Sequence, residues 1–337
     1  MDKIINILHS NLNTFTNIIN LCDTCKELNI YKKYITYIAL NLHYSQKYYN
    51  NDNFKFLLHS KIFNPQKQLS LFLKNTIKIL DFSRLNNVHI LDLSDNVQIT
   101  NICQLTNIHI LNLSKCVFIV SIENLVNIHI LNLSYCYNLI NINNLHNIIN
   151  VNLSYCSNLS DVSSLKNIHT LNLYNCQNLI DVSSLKNIHT LNLSNCQNLI
   201  DVSSLGNVHT LNLSNCQNLN DVSSLGNVYS LNLSYCINII DVSNLGNITE
   251  LNLSHCHNIT DVSKLSNVYN LSLCNCHNLK NIEALTNNHI LDISRCHLIN
   301  DFSNQTNIHT LNISFCRITD YSIFTNVKKL INREGFN

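Results

Sequence analysis

Cysteine recurs at a constant interval of twenty residues, eleven times in succession, from Cys116 and Cys136 through Cys196 to Cys296 and Cys316. A unit that short cannot bury an apolar face by itself, so its copies must stack, and the chain must fold as an array with one continuous core. Whatever the protein does is then to be read down columns of equivalent residues.

The best-kept copy, NIHTLNLSNCQNLIDVSSLG, runs from Asn187 to Gly206. Leu191 and Leu193 alternate with Thr190, Asn192 and Ser194, a period of two that predicts a short strand with its leucines facing inward. Successive copies then pair as a parallel sheet. Cys196 is expected to be a small buried group that bonds loop backbone or packs as a compact hydrophobe, and Asn96 holds the same column one copy before the ladder begins. Leu199, Val202 and Leu205 are the apolar positions of the return path, and Asp181 and Asp201 sit at its turn, where a carboxylate bonds its own backbone two residues on. Twenty residues leave little room beyond a strand and its turns, so the outer face is predicted to be extended chain or single 3₁₀ turns. The register runs back through Asp81–Leu85 to Leu73 and Leu71, and forward to Asp320–Ser322, where one residue is lost. About thirteen strands at about 4.8 Å each give an array about 60 Å long.

Lined up, the copies read I-x-x-L-x-L-x-x-C-x-x-L-x-D-V-x-x-L, which resembles the leucine-rich repeat and its L-x-x-L-x-L-x-x-N/C-x-L signature. The resemblance implies a leucine-rich-repeat solenoid with few helices on its convex face and a concave sheet that binds another protein. Cys256-His257-Asn258-Ile259-Thr260-Asp261 is similar to the C-x-x-I-T-D run of the longer repeats found in F-box proteins. The short return path, as in Ile122-Glu123-Asn124-Leu125, instead resembles bacterial and fibre-like variants.

Charge divides the chain. Met1 to Leu80 holds ten lysines against four acids, net +6, whereas Asp81 to Asn337 holds eleven basic against sixteen acidic residues, net −5. Periodicity agrees: residues 1–66 read as a helical unit, 67–330 as the array and 331–337 as a tail. In the first unit Ile4, Ile5 and Leu8, then Phe15, Ile18, Ile19 and Leu21, follow helical spacing, with Asn13 or Thr14 as a cap. The string Asn20-Leu21-Cys22-Asp23-Thr24-Cys25-Lys26-Glu27-Leu28 resembles the third helix of an F-box, although the family's opening Leu-Pro and the aromatic after Cys-Lys are missing. That resemblance implies docking to a Skp-type adaptor of a cullin ubiquitin ligase through Ile5, Leu8, Leu12, Ile19 and Leu21, with the repeats selecting the target. The alternative is a free-standing repeat scaffold in which those side chains are buried on the first repeat. Tyr34 to Tyr44 alternates partly and reads as a strand covering the sheet's N-terminal edge.

Other classes find little support. No apolar run approaches the ~18 residues of a membrane span, and the N-terminus shows no signal-peptide pattern. Fifteen cysteines would suggest disulfides in a short secreted protein, but eleven occupy one inward column, so reduced, inert thiols and an intracellular location are expected. Cys22-x-x-Cys25 is half of a zinc or redox pair, with no second C-x-x-C, and reads as helix packing. The histidine column of His89, His109, His129, His169, His189, His209, His289 and His309 presents its rings side by side and does not converge on a metal. His189 and Ser194 stand about 16 Å apart along a strand, too far for a nucleophile and its base. No G-x-S-x-G, phosphate-loop or H-E-x-x-H string occurs, so the chain is read as a non-enzyme without cofactor or metal.

Binding is the positive reading. Between the leucines one column is asparagine from Asn112 to Asn252, with Asp92 and Asp292 near its ends; another is serine, broken by Tyr174 and Cys274. Such uniformity predicts ladders of side-chain hydrogen bonds. Variation is concentrated one position later, in Lys115, Tyr135, Tyr155, Asn175, Asn195, Asn215, Tyr235, His255, Asn275, Arg295 and Phe315. Aromatic and arginine side chains anchor most interfaces, so Tyr135 and Tyr155 with Tyr174, and separately Tyr235, His255, Arg295 and Phe315, are the expected target-binding residues of the concave face. A basic aromatic segment also precedes the array, with Lys26, Lys32, Lys33, Lys47, Lys55 and Lys61 among Tyr31, Tyr34, Tyr37, Tyr48 and Tyr49. It would suit single-stranded nucleic acid. The absence of arginine there and the acidic repeats favour a solvated lysine face.

Overall fold

The computed structural model describes residues 37–61, 68–76, 81–85 and 88–333, except 101, 103–104, 106–107, 123–124, 126, 144, 146 and 319. The expected helices before Tyr34, the F-box-like string, Cys22 and Cys25, and the docking residues Ile5, Leu8, Leu12, Ile19 and Leu21 lie outside the described residues.

Each copy contributes one short strand, such as Thr190–Asn192, and consecutive strands pair in parallel with a shift of one repeat, Thr190 opposite Thr210 and Leu191 opposite Leu211. The result is a single fifteen-stranded sheet. Its last step, Thr310 opposite Lys329, is one residue shorter, as the lost residue near Asp320 requires. Leu191 and Leu193 are fully buried while Thr190 and Asn192 are half-exposed, so the period-two pattern sorts side chains between core and open face. Repetition of Leu199, Val202, Leu205 and Ile188 closes the other side of the core, all of them buried. This is a leucine-rich-repeat solenoid.

On the return path Asp201 accepts the backbone N–H of Ser203 at 2.8 Å, and a 3₁₀ turn follows over Ser203–Asn207. The same Asp-to-Ser bond recurs from Asp161 to Asp320, as the turn chemistry predicts. Two copies that lack Asp-Val at this point form paired two-residue strands instead, Ser121–Ile122 and Asn141–Ile142. Gly206, Gly226 and Gly246 sit where the return-path turns of adjacent copies crowd: a Cβ on Gly226 would lie 2.4 Å from the carbonyl oxygen of Asn244.

The cysteine column joins copies. Cys196 Sγ–H donates to the carbonyl oxygen of Leu173 one rung back at 3.3 Å, and that oxygen also accepts the N–H of Cys176 at 3.2 Å. Every ladder thiol from Cys116 to Cys316 repeats this bond. Burial pushes the Cys196 thiol up to about 12, and the thiols are free, so the ladder is a packing device with no thiolate to offer. Asn96 does the same work differently, donating to the carbonyls of Leu73 at 2.7 Å and Leu93 at 2.8 Å while accepting from the Thr76 N–H at 2.9 Å.

Strand β1, Tyr37–Leu40, pairs in parallel with β2, Gln68–Phe72, and is the first strand of the sheet. A parallel pair needs a crossover, supplied in part by helices α1, Leu42–Asn50, and α2, Asp52–Lys61. Asn41 caps α1 through the Tyr44 N–H at 3.1 Å, and Asn51 caps the start of α2 through that of Phe54 at 2.9 Å. Tyr48 is fully buried and its hydroxyl meets His59 Nε2 at 2.8 Å; Tyr49, also buried, accepts the Asp81 N–H at 2.9 Å. Arg84 pairs with Asp52, and Lys55 donates to the Arg84 carbonyl at 2.6 Å. The reading of this segment as a base-stacking platform is therefore corrected at Tyr48 and Tyr49, whose rings belong to the core.

Candidate interaction edge of the sheet

Each strand ends in a four-residue turn such as Leu193-Ser194-Asn195-Cys196, closed by the bond from Cys196 N–H to the Leu193 carbonyl at 3.2 Å. Asn192 begins it by accepting the Ser194 N–H at 3.0 Å. The uniform asparagine column therefore bonds within its own rung, where ladders between rungs were expected. The third turn residue has positive φ in every copy, 63° at Asn195, 64° at Tyr135 and Tyr155, 62° at His255 and Phe315. This is the position of a type II turn that favours Gly or Asn, and other L-residues adopt it at a cost of about 1–2 kcal/mol. The backbone also fixes each of these residues to the next rung, Tyr135 N–H to the Ser154 carbonyl at 2.8 Å and Arg295 N–H to that of Ser314 at 2.9 Å.

At mid-array the column is a closed amide ladder. Asn195 donates to Asn175 Oδ1, Asn215 to Asn195 Oδ1 at 2.5 Å, and Gln197 adds bonds to Asn195 Oδ1 at 3.1 Å and the Asn215 carbonyl at 2.7 Å. On one side of it lies an aromatic patch. The Tyr135 and Tyr155 rings stack with centroids 4.3 Å apart; Tyr137 meets Tyr135 edge-on at 6.2 Å, and Tyr174 meets Tyr155 edge-on at 5.1 Å. A hydrogen bond with Tyr155 holds the Tyr174 phenol above its usual range. Lys115 lies 5.9 Å from the centre of the Tyr135 ring and 3.7 Å from Asp95, which also pairs with Lys74 at 3.2 Å.

On the other side Tyr235 stacks on His255 at 4.1 Å, His257 lies 6.0 Å from His255 and 4.6 Å from His277, and His297 continues the line at 6.2 Å. Arg295 covers the Phe315 ring at 4.6 Å. The seven expected residues thus gather into two patches. Six of them occupy the edge where strands end; Tyr174, in the serine column, lies on the open face. Sequence reasoning missed Tyr137, His257, His277, His297 and Arg317. The signal was available two positions after the turn residue, in a column that is glutamine beside the amide ladder, Tyr at 137, and three histidines and an arginine in succession from His257 to Arg317.

The opposite edge, just ahead of the strands, carries the histidine column. His169, His189 and His209 stack at 4.6 and 4.5 Å, Tyr229 extends the stack at 4.7 Å, and His289 and His309 stack at 4.4 Å. His189 Nδ1 is 3.2 Å from the Thr190 hydroxyl. Burial first, then the neighbouring rings, push His189 below the ordinary imidazole value. Among the described residues no group of three or more His, Cys, Asp or Glu is placed to hold a metal ion. Nor is any described helix long and apolar enough to cross a membrane.

Solved structures similar to this chain are repeat proteins. An internalin, InlF, from Listeria monocytogenes is 20% identical with a TM-score of 0.48, covering 80% of this chain and 87% of that one. The functional domain of InlJ from the same organism, which includes a cysteine ladder, is 19% identical with a TM-score of 0.36 over 77% and 70% of the two chains. A leucine-rich repeat protein of Leptospira interrogans is 18% identical with a TM-score of 0.34 over 75% and 85%. No protein-family model matches the chain, and no curated protein matches it.

Proposed function

We propose that the chain is a non-catalytic protein-recognition solenoid that takes its target along the edge where its strands end and the adjoining concave face. One observation carries the reading. Lys115, Tyr135, Tyr155, Tyr235, His255, Arg295 and Phe315 occupy a positive-φ turn position that asparagine fills with less strain, and does fill in Asn175, Asn195, Asn215 and Asn275. Bulky anchors kept against the local backbone preference point to a use outside the fold. The inert thiol column suits a reducing compartment, the cytoplasm or nucleus.

The test replaces Tyr135 and Tyr155 by asparagine and places a photo-crosslinking residue at Tyr137. The chain with both tyrosines should crosslink a discrete partner that the Asn variant, equally folded by circular dichroism, does not. Identical crosslinking by both would refute the assignment of that patch.

A finer reading makes the protein an F-box adaptor, supported by the run from Asn20 to Leu28, with Ile5, Leu8, Leu12, Ile19 and Leu21 docking a Skp-type protein and ubiquitin transfer left to its partners. Purified adaptor should then bind the full chain and lose a folded Leu8→Asp, Ile19→Asp variant. No binding, with the adaptor active towards a known F-box, leaves the plain scaffold.

A further inference from the structure

The patch beyond the amide ladder holds more positive groups than its surroundings balance. His255, His257, His277, His297, Arg295 and Arg317 fall within four consecutive copies. Neither arginine makes an ion pair with a described residue. The charged groups acting on His255 are His257, His277 and Arg295, and those acting on His277 are His257 and His297, all of the same sign. Asp292, in the open-face column, is engaged within its own turn by the Ser294 N–H at 2.9 Å and hydroxyl at 2.6 Å. Glu250, the first residue of the strand two copies back, accepts from Ser230 at 2.9 Å. The preceding copy offers Tyr235 and Ile237, which bring no charge, and beyond Arg317 the chain brings Arg333, two residues past the end of the last strand.

We propose that this stretch of the edge is a proton-gated docking site for a carboxylate-rich segment of a partner polypeptide. The proposal rests on the protein-recognition reading and names the partner's chemistry. At neutral pH the patch presents two guanidinium charges. On acidification imidazolium charge at His255 and His277 joins them, and because His257 stands beside both rings and Arg295 acts on His255, the free patch resists that charging. Both His255 and His277 accordingly lie below the ordinary imidazole value, through burial first and like-charged neighbours second. A ligand that brings carboxylates removes the resistance, so binding and proton uptake reinforce each other.

The chemistry selects among anions. Side-chain carboxylates ionise near 4 and stay charged where imidazoles gain protons. A phosphate monoester loses part of its charge near pH 6, in that same window. A nucleic-acid strand binds on open ring faces; here Tyr235 and His255 cover each other, as do His257 and His277, and Arg295 covers Phe315. Four rungs at about 4.8 Å span about 14 Å, the length of four or so extended residues.

The experiment measures fluorescence anisotropy of a labelled, alternating Glu-Ser dodecapeptide with the full chain at pH 7.5 and 5.5 and constant ionic strength. Affinity should rise at least tenfold on acidification, the effect of about one fully coupled proton over one pH unit. His255→Gln, His257→Gln, His277→Gln and His297→Gln together should flatten that dependence. Should the fourfold variant misfold, His277→Gln with His297→Gln, both exposed, should halve its logarithmic slope. Arg295→Gln with Arg317→Gln should weaken binding at both pH values alike. His169→Gln, His189→Gln and His209→Gln, on the opposite edge, should leave the acid gain intact. Affinity that does not rise in acid, a folded fourfold variant that keeps the rise, or an RNA oligonucleotide of equal charge bound more tightly at pH 5.5 would each overturn the proposal. Such a failure is distinct from that of the crosslinking test, which probes the tyrosine patch on the other side of the amide ladder.

Discussion

Gly226→Ala is the sharpest probe of how the rungs pack. Gly226 has φ −62° and ψ −13°, a conformation alanine adopts freely, so by backbone entropy alone the substitution should stabilise the fold by about 0.4–1 kcal/mol. Against that, the new Cβ would stand 2.4 Å from the Asn244 carbonyl oxygen. Reaching an ordinary contact takes about 0.9–1.2 Å of movement. The strand side of the two rungs cannot give, since Leu213 N–H to Asn232 O and Leu233 N–H to Asn252 O are both 2.8 Å. The return path alone must open, and overpacking of this kind costs about 1–3 kcal/mol. The net expectation is a loss of about 0.5–2 kcal/mol, read from the midpoint of urea unfolding followed by far-UV circular dichroism. Lys186 holds the equivalent column with a full side chain, so Lys186→Gly should instead lose about 0.5–1 kcal/mol through the unfolded chain alone. A rise in midpoint for Gly226→Ala would refute the reasoning and show that the rungs on this side are not in tight contact.

Cys196→Ala removes one buried sulfur but leaves the Leu173 carbonyl bonded to Cys176 N–H, so no acceptor is orphaned, and a loss of about 1–2 kcal/mol is expected from packing; a loss above about 3 kcal/mol would mean the S–H bond itself matters. Among the described cysteines a thiol reagent should modify half-exposed Cys274 and Cys316 first, with the buried ladder from Cys116 to Cys296 reacting only on unfolding, followed by mass spectrometry of the native chain. His89, His189 and His309 lie below the ordinary imidazole value, so the unfolded chain binds more protons there: stability is complete above about pH 6.5 and falls as pH drops through that range. The His169→Gln, His189→Gln, His209→Gln variant should therefore lose less melting temperature between pH 7.5 and 5.5, and an equal loss would sink the argument. The turn aspartates from Asp161 to Asp320 are held below the usual carboxylate range chiefly by hydrogen bonds from the serine two residues on, so their contribution is present above about pH 4 and lost in stronger acid. Asp201→Asn with Asp221→Asn should flatten acid unfolding below pH 4 and change little at pH 7.

How much was legible in the chain depended on whether a residue acts within its own rung. The strand, its inward leucines, the 3₁₀ return path and the Asp-to-Ser turn bond all follow from local pattern, because period-two alternation and turn chemistry involve residues one to three apart. The buried cysteine column was readable for the same reason, since strict recurrence at the end of an inward strand leaves a small residue few other places. The asparagine column was read as bonding between rungs when it bonds within them. The choice depended on where the strand ends, since Asn192 stands two residues before the N–H it accepts. Tyr48 and Tyr49 looked like part of a basic aromatic surface because nothing local tells a buried tyrosine from an exposed one; helix α1 packing beside β2 buries them.

The sequence by itself determined the architecture, because an apolar pattern repeated every twenty residues has one stable solution, a stack in which each copy covers the next. It also set out the candidate anchors as a column. Only the tertiary structure decided what those anchors become. Stacking places copies one strand spacing apart, and at that distance Tyr135 meets Tyr155, Tyr235 meets His255 and Arg295 meets Phe315. Residues twenty apart in the chain are neighbours in space, and residues two apart, such as His255 and His257, are drawn into the same cluster by the turn between them. Charge, ring contact and strain at the edge are properties of that juxtaposition, which no single repeat contains.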